Sequence, residues 1–114
     1  MPTATRVLIG DFGAIARQGF RETLAEEGFE VLDVDCSPAE VLPNLRAHHP
    51  DIVLLDLDLS GTEELATELT HRFPNTRVLA CSAERPHMRI YPKDGAAPYS
   101  AELDAAGLAQ AVRG

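Results

Sequence analysis

The segment Asp51–Asp56 constrains the fold of this chain more than any other. It reads DIVLLD, an uninterrupted apolar run of strand length between two acidic residues. A strand that is apolar on both faces is typical of the centre of a parallel sheet, where helices cover each face. Because parallel neighbours are joined by long crossover connections, we expect helices to alternate with strands along the chain.

The rest of the sequence shows this alternation. Ser37 and Glu40 form a capping box ahead of the second helix, Gly28 stops the first, and apolar periodicity places Ile15 on the buried face of the first helix. The sequence therefore predicts one α/β domain, a parallel sheet between two layers of helices. The predicted strands are 6–10, 29–34, 51–56, 76–81 and 88–91, and the predicted helices are 14–27, 38–48, 65–73 and 101–113.

Composition argues against two classes of partner. The 114 residues carry ten basic and eighteen acidic side chains, a net charge of −8. So acidic a domain is a poor candidate for direct contact with DNA or an anionic membrane, because phosphate binding requires a positive face. No apolar run approaches the ~20 residues that span a bilayer. Cys36 and Cys81 form no CxxC pair, so we expect free thiols in a reducing cytoplasm.

Polar side chains stand at the ends of successive predicted strands. Asp11 follows the first strand, Asp56 ends the third, Ser82 follows the fourth and Lys93 follows the fifth. In a parallel sheet these ends share one edge, which is where ligands bind in open α/β folds. A carboxylate can act as a nucleophile or hold Mg²⁺, while a hydroxyl and an ammonium group can bind phosphoryl oxygens. The four residues together indicate phosphoryl chemistry.

With these residues the chain resembles the receiver domain of two-component response regulators. It is most similar to the subfamily whose receivers precede a LuxR-type helix-turn-helix DNA-binding domain. The resemblance covers about residues 5–83 and implies a flavodoxin-like, doubly wound fold with five parallel strands in the order 2-1-3-4-5. The segments that carry it are Arg6–Asp11, Ala16–Arg21, Pro50–Gly61 and Pro74–Ala83.

The resemblance implies a role for each residue at the predicted edge. Asp56 corresponds to the phospho-accepting aspartate, Ser82 to the switch hydroxyl and Lys93 to the phosphate-binding lysine. Tyr91 corresponds to the aromatic switch residue. Asp11 and Asp56, with the backbone carbonyl of Asp58, correspond to the metal ligands.

Two departures from the family pattern weaken this machinery. The family has two adjacent acids after the first strand, whereas here Phe12 follows Asp11. Phenylalanine cannot bind a metal, and phosphoryl transfer relies on the metal to neutralise developing charge. In addition, only the segment 84–90 separates Ala83 from Tyr91, too little for a helix of ~11 residues and a strand of ~5. We therefore expect the fourth helix to be truncated or missing.

We interpret the chain as an atypical, degenerate receiver that is not an enzyme and needs no cofactor. One alternative is a receiver-like module that senses a small molecule, with Phe12 facing an apolar ligand. Another is a haloacid-dehalogenase-type phosphatase, because the segment 52–60 also resembles that family's first motif. Asp56 would then be the nucleophile and Asp58 the general acid/base. Turnover of a generic phosphate ester distinguishes the enzyme from the other two.

The expected partners follow from this interpretation. A receiver that does not depend on phosphate must hold its active assembly by packing, so we expect a homodimer. A sensor kinase or a small ligand is a further candidate partner. We also expect the chain to be an N-terminal fragment, with a DNA-binding output domain beyond it. The last helix is the predicted dimer face, around Leu103, Leu108 and Val112.

The first testable prediction concerns the metal. With Phe12 in place of an acid, we expect weak or absent Mg²⁺ binding, without saturation at low millimolar Mg²⁺ in a calorimetric or fluorescence titration. The substitution Phe12→Asp is expected to strengthen binding if Asp11 and Asp56 are otherwise in place. Tight binding by the unaltered protein would contradict the assignment.

Overall fold

The computed structural model describes residues 4–32, 38–93 and 96–113, and within these ranges the chain forms one six-stranded sheet with helices on both faces. A 3₁₀ turn, Pro38–Glu40, leads into the second helix. The strands are β1 (Arg6–Ile9), β2 (Glu30–Val31), β3 (Ile52–Asp56), β4 (Arg77–Cys81), β5 (His87–Tyr91) and β6 (Tyr99–Glu102). The helices are α1 (Ala14–Glu26), α2 (Val41–His48), α3 (Thr62–Arg72) and α4 (Ala105–Arg113).

The parallel half of the sheet is the half that the sequence predicts well. The strand order is β2-β1-β3-β4-β5-β6, and β2, β1, β3 and β4 are parallel. Successive residues of β3 point to opposite faces, so that Leu54 joins the core under α1 and α4, whereas Val53 joins the core under α2 and α3. Leu79 and Val78 of β4 divide in the same way. The α/β fold with β3 at its centre is confirmed.

The other half of the sheet differs from the prediction. β5 and β6 are both antiparallel to their neighbours, because β4 and β5 are joined by the short segment Ser82–Pro86, which we call the β4–β5 loop. The amide of Ser82 donates to the carbonyl of His87 at 3.0 Å and closes this loop as a hairpin. Residues 82–86 contain no helix, as the prediction of a truncated or missing fourth helix requires. The prediction of five parallel strands is wrong for β5.

The amino-acid pattern of β5 and β6 explains why one face of this hairpin needs no additional helix. Cross-strand partners share a face, and the pairs Met88↔Ala101 and Ile90↔Tyr99 lie on the side of α4. The pairs His87↔Glu102 and Arg89↔Ser100 lie on the opposite side, and their side chains are polar. The part of this face in β6 is polar and does not have to be buried. The part in β5 is covered by α3, where Tyr91 joins the core and Arg89 lies 3.9 Å from Glu63.

Several local expectations are corrected. Ile15 is 92% exposed rather than buried, because Ala16, Phe20 and Leu24 carry the inward face of α1. The predicted helix 101–113 is a strand and a shorter helix, with the Asp104 carboxylate accepting the amide of Gly107 at 2.6 Å in the first turn of α4.

Two residues named in the sequence analysis, Cys36 and Ser37 of the capping box, lie outside the described residues. Among the helices that the structure describes, none has the length and apolar character required to cross a bilayer.

Gly10 gives the second prediction, because it sets the close approach of β1 and β3 just before Asp11. Its amide donates to the Leu54 carbonyl at 2.8 Å, and a Cβ atom at Gly10 would lie 2.7 Å from the same oxygen. We expect Gly10→Ala to lower the free energy of unfolding by about 1–3 kcal/mol, measured by urea denaturation, because strand backbone cannot move aside easily.

Gly13→Ala is the matched control, since an added Cβ there meets no atom within 4 Å. We expect this variant to differ in stability by less than about 1 kcal/mol, because the lower entropy of the unfolded chain and the poorer N-cap preference of alanine oppose each other. Equal losses in the two variants would show that the contact at Gly10 is not the cause.

Candidate functional site

The carboxyl ends of β1 and β3 bring two carboxylates to one cavity. Asp11 follows β1 and is exposed, and Asp56 is the half-buried last residue of β3. A cavity of about 260 Å³ lies between α2 and α3 at this edge, and both aspartates line it. The structure therefore places both side chains at the carboxyl edge of the sheet, as the sequence predicts.

The loop after β3 is fixed by hydrogen bonds to Asp56. One oxygen of the Asp56 carboxylate accepts the amide of Asp58 at 2.9 Å. The Thr62 hydroxyl donates to the carbonyl of Asp56 at 2.6 Å and lies 3.0 Å from the carbonyl of Leu59. Gly61, with φ of +83°, allows the chain to turn into α3. The acceptor candidate is thus held in a short, well-bonded turn.

Ser82 reaches the same edge but contacts a different acid from the one expected. Its hydroxyl lies 2.9 and 3.1 Å from the two carboxylate oxygens of Asp58, and the amide of Ala83 donates to Asp58 at 3.0 Å. Ser82 is only 2% exposed. The sequence predicts a role in metal binding for the backbone carbonyl of Asp58 only. In the structure its carboxylate is also engaged, in a hydrogen bond with the candidate switch hydroxyl of Ser82.

Lys93 and Tyr91 do not reach this edge. Because β5 runs antiparallel to β4, its end lies at the opposite edge of the sheet, where Tyr91 pairs with Val78. Lys93 lines a separate cavity there, beside Arg6 and Arg77. The expected convergence of Lys93 with Asp56 is wrong for this reason.

Tyr91 is buried in the core under α2 and α3 rather than poised at the site. Its hydroxyl is buried and has no hydrogen-bond partner among the described residues, and burial raises the pKa of this phenol above its usual value. The Arg89 guanidinium lies 5.8 Å from the centre of its ring, a cation–π distance. Tyr91 therefore has the environment of a core side chain.

Phe12 is also a core residue, and its side chain turns away from the cavity. It is 6% exposed and packs edge-to-face on Phe20 of α1, with ring centres 4.8 Å apart. A carboxylate introduced by Phe12→Asp would be buried among apolar groups, so it would destabilise the fold before it could bind a metal. Phe12→Asp is therefore not expected to complete a metal site. The prediction that Phe12 faces a ligand is wrong, because its side chain does not line the cavity.

The edge of the sheet brings together two of the three oxygen ligands that the receiver resemblance implies for Mg²⁺, the carboxylates of Asp11 and Asp56. Among the described residues, no group of three histidine, cysteine, aspartate or glutamate side chains is arranged to hold a metal ion. The third expected ligand is the backbone carbonyl of Asp58, whose carboxylate is separately hydrogen-bonded to Ser82 and Ala83. Because Mg²⁺ usually keeps several waters and binds one or two protein carboxylates, weak Mg²⁺ binding stays a prediction that the titration tests.

The predicted dimer face is part of the domain's own core. Leu108 and Val112 of α4 are 2% and 3% exposed and pack under the sheet, with Leu103 partly buried against them. Side chains that are buried in the monomer cannot form an exposed apolar surface. The assignment of Leu108 and Val112 to a dimer face is therefore wrong, whereas that of the partly exposed Leu103 stays a prediction.

Comparison with known proteins finds relatives of one kind. No family model matches the chain. Chemotaxis protein CheY of Bacillus subtilis (strain 168) is 28% identical over 82 residues, which are 70% of this chain and 68% of that protein. Chemotaxis protein CheY of Thermotoga maritima is 28% identical over 81 residues, 68% of this chain and 67% of that protein. These similarities, together with the mostly parallel α/β fold, support a response-regulator receiver domain.

The third prediction concerns the Cys81 thiol at the end of β4. Burial, and then the negative charge of Asp56, raises the pKa of Cys81 to about 12. The thiol is thus almost fully protonated at pH 8 and shielded from solvent. Because the thiolate is the reactive form, we expect folded protein to resist iodoacetamide at Cys81 at pH 8 and denatured protein to be alkylated, as measured by peptide mass spectrometry. Rapid alkylation of the folded protein would contradict this.

Proposed function

We propose that this chain is an atypical receiver, the signal-input domain of a two-component-type transcriptional response regulator, with impaired Mg²⁺-dependent phosphorylation at Asp56. The observation that carries the proposal is the position of Lys93. The acceptor candidate Asp56 lies at the carboxyl edge of the sheet, while the lysine that the family uses to bind the phosphoryl group lies at the other edge. The antiparallel β5 is the cause of this separation.

The chemistry of phosphoryl transfer explains why this separation matters. A phosphoryl group on Asp56 would add negative charge beside Asp11 and Asp58, and charges of like sign at close range disfavour one another. Receivers can offset such charge with a metal ion and a cation. Here Phe12 stands where the family has a second acid and Lys93 is remote, so transfer to Asp56 should be slow and its product short-lived.

The wider context is part of the same proposal. With a net charge of −8, the domain is expected to regulate transcription through a DNA-binding segment other than itself. A sensor kinase as partner, a homodimer that forms without phosphorylation and a cytoplasmic location all follow from the receiver assignment. The dimer would have to use a surface other than the buried side chains of α4. We propose no enzymatic activity, and turnover of a generic phosphate ester would overturn that point.

A second candidate, small-molecule sensing, is favoured by the shape of the cavity beside Asp56. Its floor is apolar, with Val41, Leu55 and Leu65, while the two carboxylates of Asp11 and Asp56 lie at its polar side. A small molecule with an apolar body and a cationic group would match both the floor and the polar side of the cavity. Saturable stabilisation of the unaltered protein by such a compound, lost in Leu65→Gln, would favour sensing over the impaired phospho-receiver.

The fourth prediction tests phosphorylation directly. We expect incubation with acetyl phosphate and Mg²⁺ to phosphorylate only a small fraction of the protein, measured by intact-protein mass spectrometry. Any phosphorylation that occurs should be lost in Asp56→Asn and unchanged in Lys93→Ala, because Lys93 does not reach the edge where Asp56 lies.

A receiver with two adjacent acids after its first strand, treated in parallel, is the positive control. Near-complete modification of this protein would show that the site is an ordinary phospho-switch. A large loss in Lys93→Ala would show that the lysine reaches Asp56 and would overturn the observation on which the proposal rests.

A further inference from the structure

The hydroxyl of Ser82 has no hydrogen-bonding capacity left. It donates its proton to the Asp58 carboxylate, with distances of 2.9 and 3.1 Å to the two oxygens. It accepts the amides of Glu84 at 3.2 Å and Arg85 at 3.1 Å. A serine hydroxyl has one proton to donate and two lone pairs that accept, so all three positions are used. A phosphoryl group on Asp56 would find this hydroxyl already engaged.

The Asp58 carboxylate occupies the position at which an oxyanion would be bound. It accepts the Ser82 hydroxyl and, at 3.0 Å, the amide of Ala83, two donors that converge at the carboxyl edge of the sheet. Hydrogen bonds to an ionised acceptor are roughly twice as strong as those between neutral groups. A convergent hydroxyl and amide suit the oxygens of a carboxylate or of a phosphoryl group equally well.

Resting on the proposed receiver function, we propose that Asp58 is an internal substitute for a phosphoryl group, which holds the β4–β5 loop through Ser82 and Ala83 without phosphorylation. Asp58 is in turn fixed by its own amide, which donates to the Asp56 carboxylate. A continuous path of hydrogen bonds thus joins Asp56, Asp58 and Ser82 to the amides of Glu84 and Arg85. The state of the loop is set by a permanent charge rather than by a transient one.

This arrangement has a consequence for signalling by the domain. A modification at Asp56 can change the loop only by displacing Asp58 from Ser82. Because an incoming phosphoryl group and the departing carboxylate are both negative, the exchange replaces one anion with another at the same donors. The loop should therefore occupy the same position before and after phosphorylation, which makes the output of this face independent of the modification.

Amide hydrogen exchange of the full 114-residue chain, followed by NMR, tests the proposal. We expect Asp58→Ala to raise exchange at Ala83, Glu84 and Arg85 by about tenfold, because Ala83 loses its acceptor and the Ser82 hydroxyl loses its orientation. The amide of Gly10, bonded to Leu54 within the sheet, reports global stability and should change little. Unchanged exchange at the three loop amides in Asp58→Ala would overturn the proposal.

Chemical rescue separates an oxyanion substitute from a side chain that is merely structural. Inorganic phosphate added to Asp58→Ala should occupy the vacated donors and lower exchange at Ala83 by about threefold or more, while sodium chloride at equal ionic strength should not. The unaltered protein should show no response to phosphate. Faster exchange in Asp58→Ala that phosphate does not slow would overturn the role as a phosphoryl substitute.

Glu84→Gln is the matched control, because it removes a negative charge from the same loop without removing an acceptor from Ser82. We expect it to leave exchange at Ala83 unchanged, and an effect as large as that of Asp58→Ala would assign the result to charge alone. No step of this experiment requires phosphorylation. Failure of the rescue therefore leaves the proposed function standing, and failure of Asp56 to accept phosphate leaves the rescue interpretable.

Discussion

Burial of β3 on both faces is the constraint on which the rest of the molecule depends. Ile52, Val53, Leu54 and Leu55 are all at most 4% exposed, and such burial is possible only with a layer of helices on each side of the strand. The helix layers fix the direction of β1 and β4, since both pair with β3 in parallel. Asp56 is the residue at which this burial ends, so the strand that forms the core also sets the position of the candidate acceptor.

Most of the parallel half was predictable, because a long apolar run and helical periodicity are local properties of sequence. The orientation of β5 also has a signal in the sequence, the length of the connection that precedes it. The connection before β5 is too short to contain a helix. It is also too short to cross over to the start of a parallel strand, so β5 has to be antiparallel to β4. The alternation of polar and apolar residues in His87–Tyr91 points the same way, since a strand covered on both faces has no reason to alternate.

The errors in the candidate site follow from that one orientation and from side-chain direction. Only a parallel β5 would bring Lys93 to the edge where Asp56 lies, and the sequence pattern does not show which face Phe12 occupies after β1. The contact between Asp58 and Ser82 follows from the parallel pairing of β3 and β4, in which Asp56 is opposite Cys81, and this register is not visible in the sequence. The basic groups around Lys93 have a structural explanation, because Arg6 and Arg77 donate to carbonyls at the ends of α2 and α4.

The antiparallel strands also bear on how the domain folds. β4, β5 and β6 form two consecutive hairpins, so their partners are close in sequence, whereas Val7 of β1 must find Ile52 far along the chain. Hairpins form in ~1–10 μs, while contacts between distant segments must first overcome the entropy of closing a long loop. The replacement of a crossover by a hairpin therefore lowers the contact order of this part of the sheet, and we expect β4, β5 and β6 to pair early in folding.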